Sequence, residues 1–231
     1  MDVSAIIVSA GSSSRMGGIN KQLAEINGTT VIGRSLTAMQ NASSVGEIVV
    51  VTRSEDAEAV KEIARKHGIS KLTAVVEGGA TRQESVVCGL KAGSREFAYV
   101  AVHDGARPLV KPEHIERVIA DARIFGAATL GVPVKDTIKV VSGGLIVDTP
   151  HRPSLYITQT PQVFRKTLYF EGVDFALEHG LDFTDDCQLV EAVNVKVHMT
   201  VSDYSNIKIT TVEDLAAARA IAPPFEYPKA E

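Results

Sequence analysis

The stretch SAGSSSRMGGINKQL (Ser9–Leu23) sets Gly11, Gly17 and Gly18 around Arg15 and Lys21, directly after the apolar run Val3–Val8. It is too polar for a core and has no helical periodicity. Glycines permit positive φ and let backbone N–H groups approach phosphate oxygens closely, while the two cations add formal charge. Such a loop suits the capture of a small anion. Two familiar phosphate loops fail on spacing. Three serines follow Gly11, which breaks the dinucleotide pattern G-x-G-x-x-G, and no Ser or Thr follows Lys21, which breaks G-x-x-x-x-G-K-[ST]. The alternative reading is a surface loop with two incidental cations.

Three more residues invite chemistry. Asp104 in HDGARP closes a strand-like apolar run, where a carboxylate is costly without a role; a turn or helix cap is the alternative. Lys208 in NIKIT stands between isoleucines at an expected strand end, a place usually taken by a solvated edge residue. Arg152 in PHRPSLY reads by itself as a surface arginine beside a proline turn.

The elements that must position these residues alternate. Val3–Val8, Glu47–Thr52, 72–79, 97–104 and 127–134 read as strands, with helical patterns over 29–42, 55–68, 81–93 and 111–126 between them. Thr29 or Thr30 caps the first helix and Ser54 the second, which Gly68 stops. Near-continuous apolar strands separated by helices indicate a parallel sheet covered on both faces, a Rossmann-like, doubly wound, mostly parallel α/β fold. The rhythm breaks after Asp136. Residues 136–164 read as two strands joined at Ser142-Gly143-Gly144, with the stretch 136–160 forming a β-hairpin arm inserted into a single domain spanning 1–231. Helices over 165–180 and 184–194, a strand within 195–203 and a helix over 211–222 follow; the tail from Pro223 is expected to fray.

At 231 residues the chain has room for a real core, and 45% hydrophobic with 23% charged residues is ordinary for a globular protein. A net charge of -4 argues against a broad nucleic-acid surface or an anionic-membrane partner, so any basic cluster is local and suits a small ligand. The two cysteines, Cys88 and Cys187, lack metal or CxxC spacing and read as inert reduced thiols. The N-terminal apolar run is too short for a signal peptide or a membrane span, so cytoplasmic residence is the default expectation.

The glycine-rich stretch resembles the A-A-G-x-G-x-R-M-G…K motif of sugar-phosphate nucleotidyltransferases. The rest of the chain resembles the 2-C-methyl-D-erythritol 4-phosphate cytidylyltransferase family of the non-mevalonate isoprenoid route. EGGATRQESV (Glu77–Val86), HDGARP (His103–Pro108), VKDTIK (Val134–Lys139), TPQVF (Thr160–Phe164), TDD (Thr184–Asp186) and NIKIT (Asn206–Thr210) recur in the family's order. Departures are small for small. Ser9 stands for the usual alanine, Ser13 for a glycine, and Gly105 for alanine.

The resemblance implies transfer of a cytidylyl group from CTP to a polyol phosphate, with Mg²⁺ accompanying the triphosphate through ligands that spacing does not reveal. It makes Arg15 and Lys21 transition-state stabilisers, and Arg152 and Lys208 the residues that position the attacking phosphate. Ala10 and Gly11 belong to the nucleotide loop. Gly79, Ala80 and Ser85, with Gly78, match the segment that reads the cytosine edge. Asp104, Gly105, Arg107, Thr137, Thr160 and Thr184 match positions around the ribose and the polyol phosphate, and Thr184 could also serve as an N-cap. Family members use such an arm to form a two-fold dimer, so a homodimer is expected. Rival readings are the same chemistry on another acceptor such as ribitol 5-phosphate, a silent nucleotide-binding regulator and a nicotinamide dehydrogenase. The four cations disfavour the regulator, and the missing fingerprint disfavours the dehydrogenase.

Overall fold

The structure, a computed structural model, describes residues 1–11 and 16–227. Arg15 and Ser13 lie outside the described residues. The first apolar run forms β1 (Val3–Val8). A short ladder of β2 (Glu25–Ile26) and β3 (Thr29–Thr30) then leads into α1 (Val31–Asn41), where the Thr30 hydroxyl accepts from Gly33 N–H at 3.1 Å. Asn27 and Gly28 turn the ladder with positive φ at both residues (44° and 96°). An Asn-Gly pair is the sequence signal for that turn, which the helical reading of 29–42 overlooks.

β4 (Val45–Thr52), α2 (Ala57–Lys66), β5 (Leu72–Glu77), α3 (Arg82–Ala92), β6 (Tyr99–Asp104), α4 (Pro112–Phe125) and β7 (Ala127–Pro133) continue the alternation. Ser54 does not cap α2. It opens a 3₁₀ turn in which Arg53 pairs with Glu55 and Asp56, and α2 has no side-chain cap bond. Beyond β7, β8 (Val140–Ser142) and β9 (Leu145–Asp148) form a separate hairpin turned at Gly143 and Gly144. The hairpin ends well before residue 160, because Tyr156–Arg165 is β10, a ten-residue strand of the main sheet whose second half is buried. The chain closes with α5 (Lys166–His179), α6 (Asp186–Ala192), β11 (His198–Val201) and α7 (Val212–Ile221).

The main sheet has seven strands in the order β5–β4–β1–β6–β10–β7–β11. Only β10 runs antiparallel to its neighbours. The chain steps outward from β1 to β4 and β5, then crosses back to β6 on the other side of β1. Such a reversal leaves a crevice over the carboxyl ends of the central strands. Val8 and Asp104 are register partners at its floor.

Alternate β1 residues serve opposite faces, which is why the strand is apolar throughout. Val3, Ala5 and Ile7 pack with Leu36 and Met39 of α1, Val60 of α2 and Ile115 of α4. Ile6 packs with Val86 of α3, Tyr169 of α5 and Val190 of α6. A third cluster joins Met16, Ile26, Val31 and Ile209 to Leu215 and Ala218 of α7. Met16, fully buried, anchors the middle of the glycine-rich stretch.

The tail is docked as far as Tyr227. Phe225 N–H donates to Asn27 O at 2.9 Å, Arg34 Nη2 donates to Pro223 O at 2.7 Å, and the Phe225 and Tyr227 rings lie 5.1 and 4.9 Å from that of His67. Ring contacts decide the outcome: half-buried Phe225 and the more exposed Tyr227 pack on His67 and on each other, which offsets the entropy of ordering a few residues. Phe225→Ala is expected to destabilise the protein by about 1–2 kcal/mol, read as a lower urea midpoint with an unchanged slope.

Candidate active site

Above the β1 and β6 carboxyl ends lies a cavity of about 420 Å³. Its walls come from Ser9, Ala10 and Gly11 after β1, Lys21 and Gln22 at the far end of the loop, Gly79 to Arg82 and Ser85 at the start of α3, and Asp104 and Lys208. Residues scattered over nearly 200 positions of sequence thus meet where the strand order reverses. Close backbone approach makes this possible. A Cβ at Gly78 would sit 2.5 Å from Ala10 Cβ and 2.8 Å from Ser85 Oγ, so only glycine lets the β5–α3 turn close against the loop after β1. Gly105 is packed just below the wall, where a Cβ would meet Gln22 Oε1 and Ser9 Cβ at 3.1 Å.

The N-terminus of α3 satisfies itself. Thr81 Oγ1 accepts from Glu84 N–H at 3.2 Å and Glu84 Oε2 accepts from Thr81 N–H at 3.4 Å, a reciprocal capping box, and the same oxygen accepts from Ala80 N–H at 2.7 Å. It places Arg82 on the first turn, facing the cavity. Arg82 has no assigned role in the sequence reading, although the T-x-x-E spacing that positions it is plain in TRQE.

Asp104 is the only carboxylate among the described lining residues. It is nearly buried, with Lys208 Nζ at 2.9 Å, Arg107 Nε at 3.5 Å and Arg82 Nη2 at 3.6 Å. Burial alone would raise its carboxyl, but Lys208, Arg82 and Arg107 together hold it well below the usual carboxylate range. Lys208 is not at a strand end. NIKIT is an extended loop after β11, tied down by Ile209, whose N–H donates to Ala106 O at 2.8 Å and whose side chain is fully buried.

Arg107 and Thr160 sit behind Asp104 rather than at the cavity wall. Arg107 donates from Nη1 to Asn206 O at 2.8 Å and from Nη2 to Thr158 O at 3.3 Å. Thr160 Oγ1 accepts from Asp104 N–H at 3.0 Å and lies 3.0 Å from His103 Nδ1. His103 Nε2 is 3.3 Å from Arg107 O. A carbonyl only accepts, so Nε2 carries the proton and Nδ1 accepts from the Thr160 hydroxyl. His103 is thus the structural residue that its sequence context suggests.

Thr184 borders a different cavity, with Thr158, Asp185 and Cys187. It is not the cap of α6; Asp185 is, accepting from Cys187 N–H at 2.8 Å. Thr137 and Arg152 are exposed on and beside the arm, and Arg152 Nη1 donates to Lys135 O at 3.2 Å. Neither is among the residues lining the cavity of its own chain. Among the described residues no group of three His, Cys, Asp or Glu side chains is gathered for a metal ion, and no helix is long and apolar enough to cross a membrane.

A doubly wound sheet with a glycine-rich loop, cations and a paired carboxylate at its switch point defines the class as a nucleotidyltransferase. The chain matches the family model described as IspD, 2-C-methyl-D-erythritol 4-phosphate cytidylyltransferase, over residues 3–223, and belongs to that family. The enzyme of that name from Caldanaerobacter subterraneus subsp. tengcongensis is 45% identical over 221 residues, which cover 94% of this chain and 97% of that one. The crystal structure of 4-diphosphocytidyl-2C-methyl-D-erythritol synthase from Anaerococcus prevotii superposes with a TM-score of 0.85 at 33% identity, covering 94% of each chain. That of the Thermus thermophilus cytidylyltransferase gives 0.78 at 31% identity, covering 96% of this chain and 98% of the other.

Burial lowers the His103 imidazolium pKa to about 4, with Asp104 opposing only in part. The unfolded chain takes up this proton near pH 6.5 and the folded one does not, so stability falls as pH drops from about 6.5 towards 4, by about 3 kcal/mol from His103. Depressed His67 and His114 add in the same direction. Urea unfolding across this window measures the slope, and the His103 ring resonances are expected to stay in the neutral form down to pH 5.

Proposed function

We propose that this enzyme joins the cytidylyl group of CTP to 2-C-methyl-D-erythritol 4-phosphate. An oxygen of the acceptor phosphate bonds to the α-phosphorus of CTP, the bond from that phosphorus to the bridging oxygen breaks, and pyrophosphate leaves. A phosphate monoester is already anionic near pH 7, so no general base is needed. The difficulty is bringing two anions together and stabilising the charge of the transition state. The observation that carries this reading is one cavity at the switch point, lined by Lys21 and by Asp104 with Lys208 and Arg82 paired to it, in a chain from this family.

The roles we assign combine the lining of the cavity with those the family resemblance implies. Lys21, with Arg15 of the same loop, stabilises the transition state. Ala10 and Gly11 offer backbone to the phosphates, while Gly79, Ala80 and Ser85 are the proposed slot for the cytosine, where small residues let backbone groups approach the base. Lys208 positions the attacking phosphate, and Asp104 presents a fixed acceptor to hydroxyls. Arg107 and Thr160 hold Asp104 in place, and Gly105 keeps the floor thin. Thr184, which the resemblance puts at the polyol phosphate, lines the separate cavity beside β10 and takes no part in this lining.

A divalent cation such as Mg²⁺ accompanies the triphosphate. The single lining carboxylate, already engaged by cations, fits an ion that takes most of its ligands from phosphate oxygens and water, with Asp104 as its protein partner. When bound, the ion neutralises charge on the phosphate oxygens.

The arm supports a shared site. Val141, Leu145, Ile146 and Val147 are each more than half exposed, and a two-stranded hairpin is marginal in water without a surface to pack on. A second copy related by a two-fold axis covers it and receives Arg152 and Thr137 at its own cavity.

Pyrophosphate release with CTP, UTP, ATP and GTP against a panel of polyol phosphates tests the reaction. CTP with methylerythritol phosphate is expected to dominate, and equal use of a purine triphosphate would refute the slot. In the same assay Lys21→Gln is expected to lower turnover by about a hundredfold or more with the fold intact. For the shared site, Lys21→Gln and Arg152→Ala chains are mixed and allowed to exchange subunits. Half the dimers are then mixed, each with one intact site, so about a quarter of wild-type activity returns. No recovery despite verified exchange places Arg152 in its own chain's site.

A further inference from the structure

Arg82 reaches the cavity from in front of a buried polar pair that the proposed chemistry does not use. Its Nη2 lies 2.5 Å from Asp186 Oδ2 and 3.6 Å from Asp104 Oδ1, so one guanidinium edge spans a carboxylate behind the site and a carboxylate within it. Asp186 Oδ1 in turn accepts from the Tyr169 hydroxyl at 2.6 Å. Both are almost wholly buried, at 1% exposure each, and Tyr169 stands in the apolar cluster beneath α5, against the Phe164 ring. Asp186 is also fixed through its backbone, its N–H donating to Gln162 Oε1 at 3.1 Å.

A phenol buried in this apolar cluster needs an acceptor, but any neutral carbonyl would serve. A buried carboxylate at the first position of a short helix needs donors, but the cap is already supplied by Asp185, so no capping role fixes where its oxygens face. Their pairing makes sense as a means of aiming Asp186 at Arg82. The hydroxyl occupies Oδ1 and leaves Oδ2 facing the guanidinium. Burial and the neighbouring Asp186 both raise the Tyr169 pKa well above its usual value, so the hydroxyl keeps its proton and donates.

Resting on the functional reading above, we propose that Tyr169 is a positioning residue for the reaction, acting through Asp186 to set how far Arg82 leans on Asp104. Without the hydroxyl, Asp186 turns more of its charge onto Arg82 and draws it back. Asp104 then holds Lys208 more tightly, at the expense of the attacking phosphate. The loss therefore falls on turnover and on KM for the acceptor, and not on KM for CTP.

Tyr169→Phe keeps the ring and deletes only the hydroxyl. It is expected to lower kcat/KM for the acceptor about tenfold, with KM for CTP within twofold of wild type, a change of the size expected for one hydrogen bond to a charged group. In an Arg82→Ala background the same substitution is expected to have no further effect. A structural role predicts the reverse, with equal losses in both backgrounds or a loss shared by both substrates, and either result overturns the proposal. Guanidinium NMR, with the Arg82 resonance assigned by Arg82→Lys, supplies a reading independent of turnover. Rotation of the Arg82 nitrogens is expected to be slow in wild type and slower still in Tyr169→Phe, where Asp186 holds the guanidinium more tightly, and an unchanged or faster rotation rejects the link. If wild-type protein releases no pyrophosphate from CTP, the functional reading fails, and the resonance alone decides for or against Tyr169.

Discussion

A carboxylate removed almost entirely from water must be paired, and the pairing of Asp104 organises this protein. Three cations surround it from three separate parts of the chain: Arg82 from the first turn of α3, Arg107 from the loop after β6, and Lys208 from the loop after β11. Removing a buried partner such as Arg107 typically costs about 3–5 kcal/mol, while the pair with half-exposed Lys208 is screened by solvent and contributes less, so the loops are held chiefly through the arginines. The same arrangement leaves cationic edges facing the cavity. An entering phosphate meets charge that is already oriented, without the cost of gathering it during the reaction.

The support beneath Asp104 is polar where the sheet would ordinarily be apolar. The Thr160 hydroxyl accepts from Asp104 N–H and donates to His103, whose other nitrogen donates to the Arg107 carbonyl. This fixes the strand end, and β10 takes part because it runs antiparallel beside β6 and delivers Thr160 at the required height. The apolar clusters do the remaining positioning. Met16 and Ile209, in one cluster with α7, hold the middle of the glycine-rich stretch and the NIKIT loop on a common base.

The arm obeys the opposite rule. Its strands pair only with each other and leave aliphatic side chains in solvent. An element of that kind gains nothing for the isolated chain, and its apolar surface is large for a monomer's loop. The two-fold partner proposed above would give it a surface to pack on and would bring Arg152 within reach of a phosphate.

Much of this was legible in the residue order. Alternating apolar runs and capped helices specify a doubly wound sheet because both signals are local, and glycine with lysine after the first strand marks an anion site for the same reason. Asp104, Lys208, Ala10, Gly11, Lys21, Gly79, Ala80 and Ser85 do meet in one cavity. Other features depend on contacts between distant segments. Nothing near Arg107 or Thr160 in sequence says that their polar atoms are engaged behind Asp104, since the partners lie 99 and 56 residues away. The Tyr156–Thr160 stretch reads as part of the arm until β6 and β7 are seen to leave a gap that only an antiparallel strand fills. The docking of Phe225 and Tyr227 on His67 requires α2 and the Asn27–Gly28 turn to be in place first. Sequence determined which elements form and which carry charge, because backbone preference and side-chain pattern are short-ranged. Only tertiary structure decided which charges face the cavity and which hold it, because that depends on burial and on partners the chain brings together by folding.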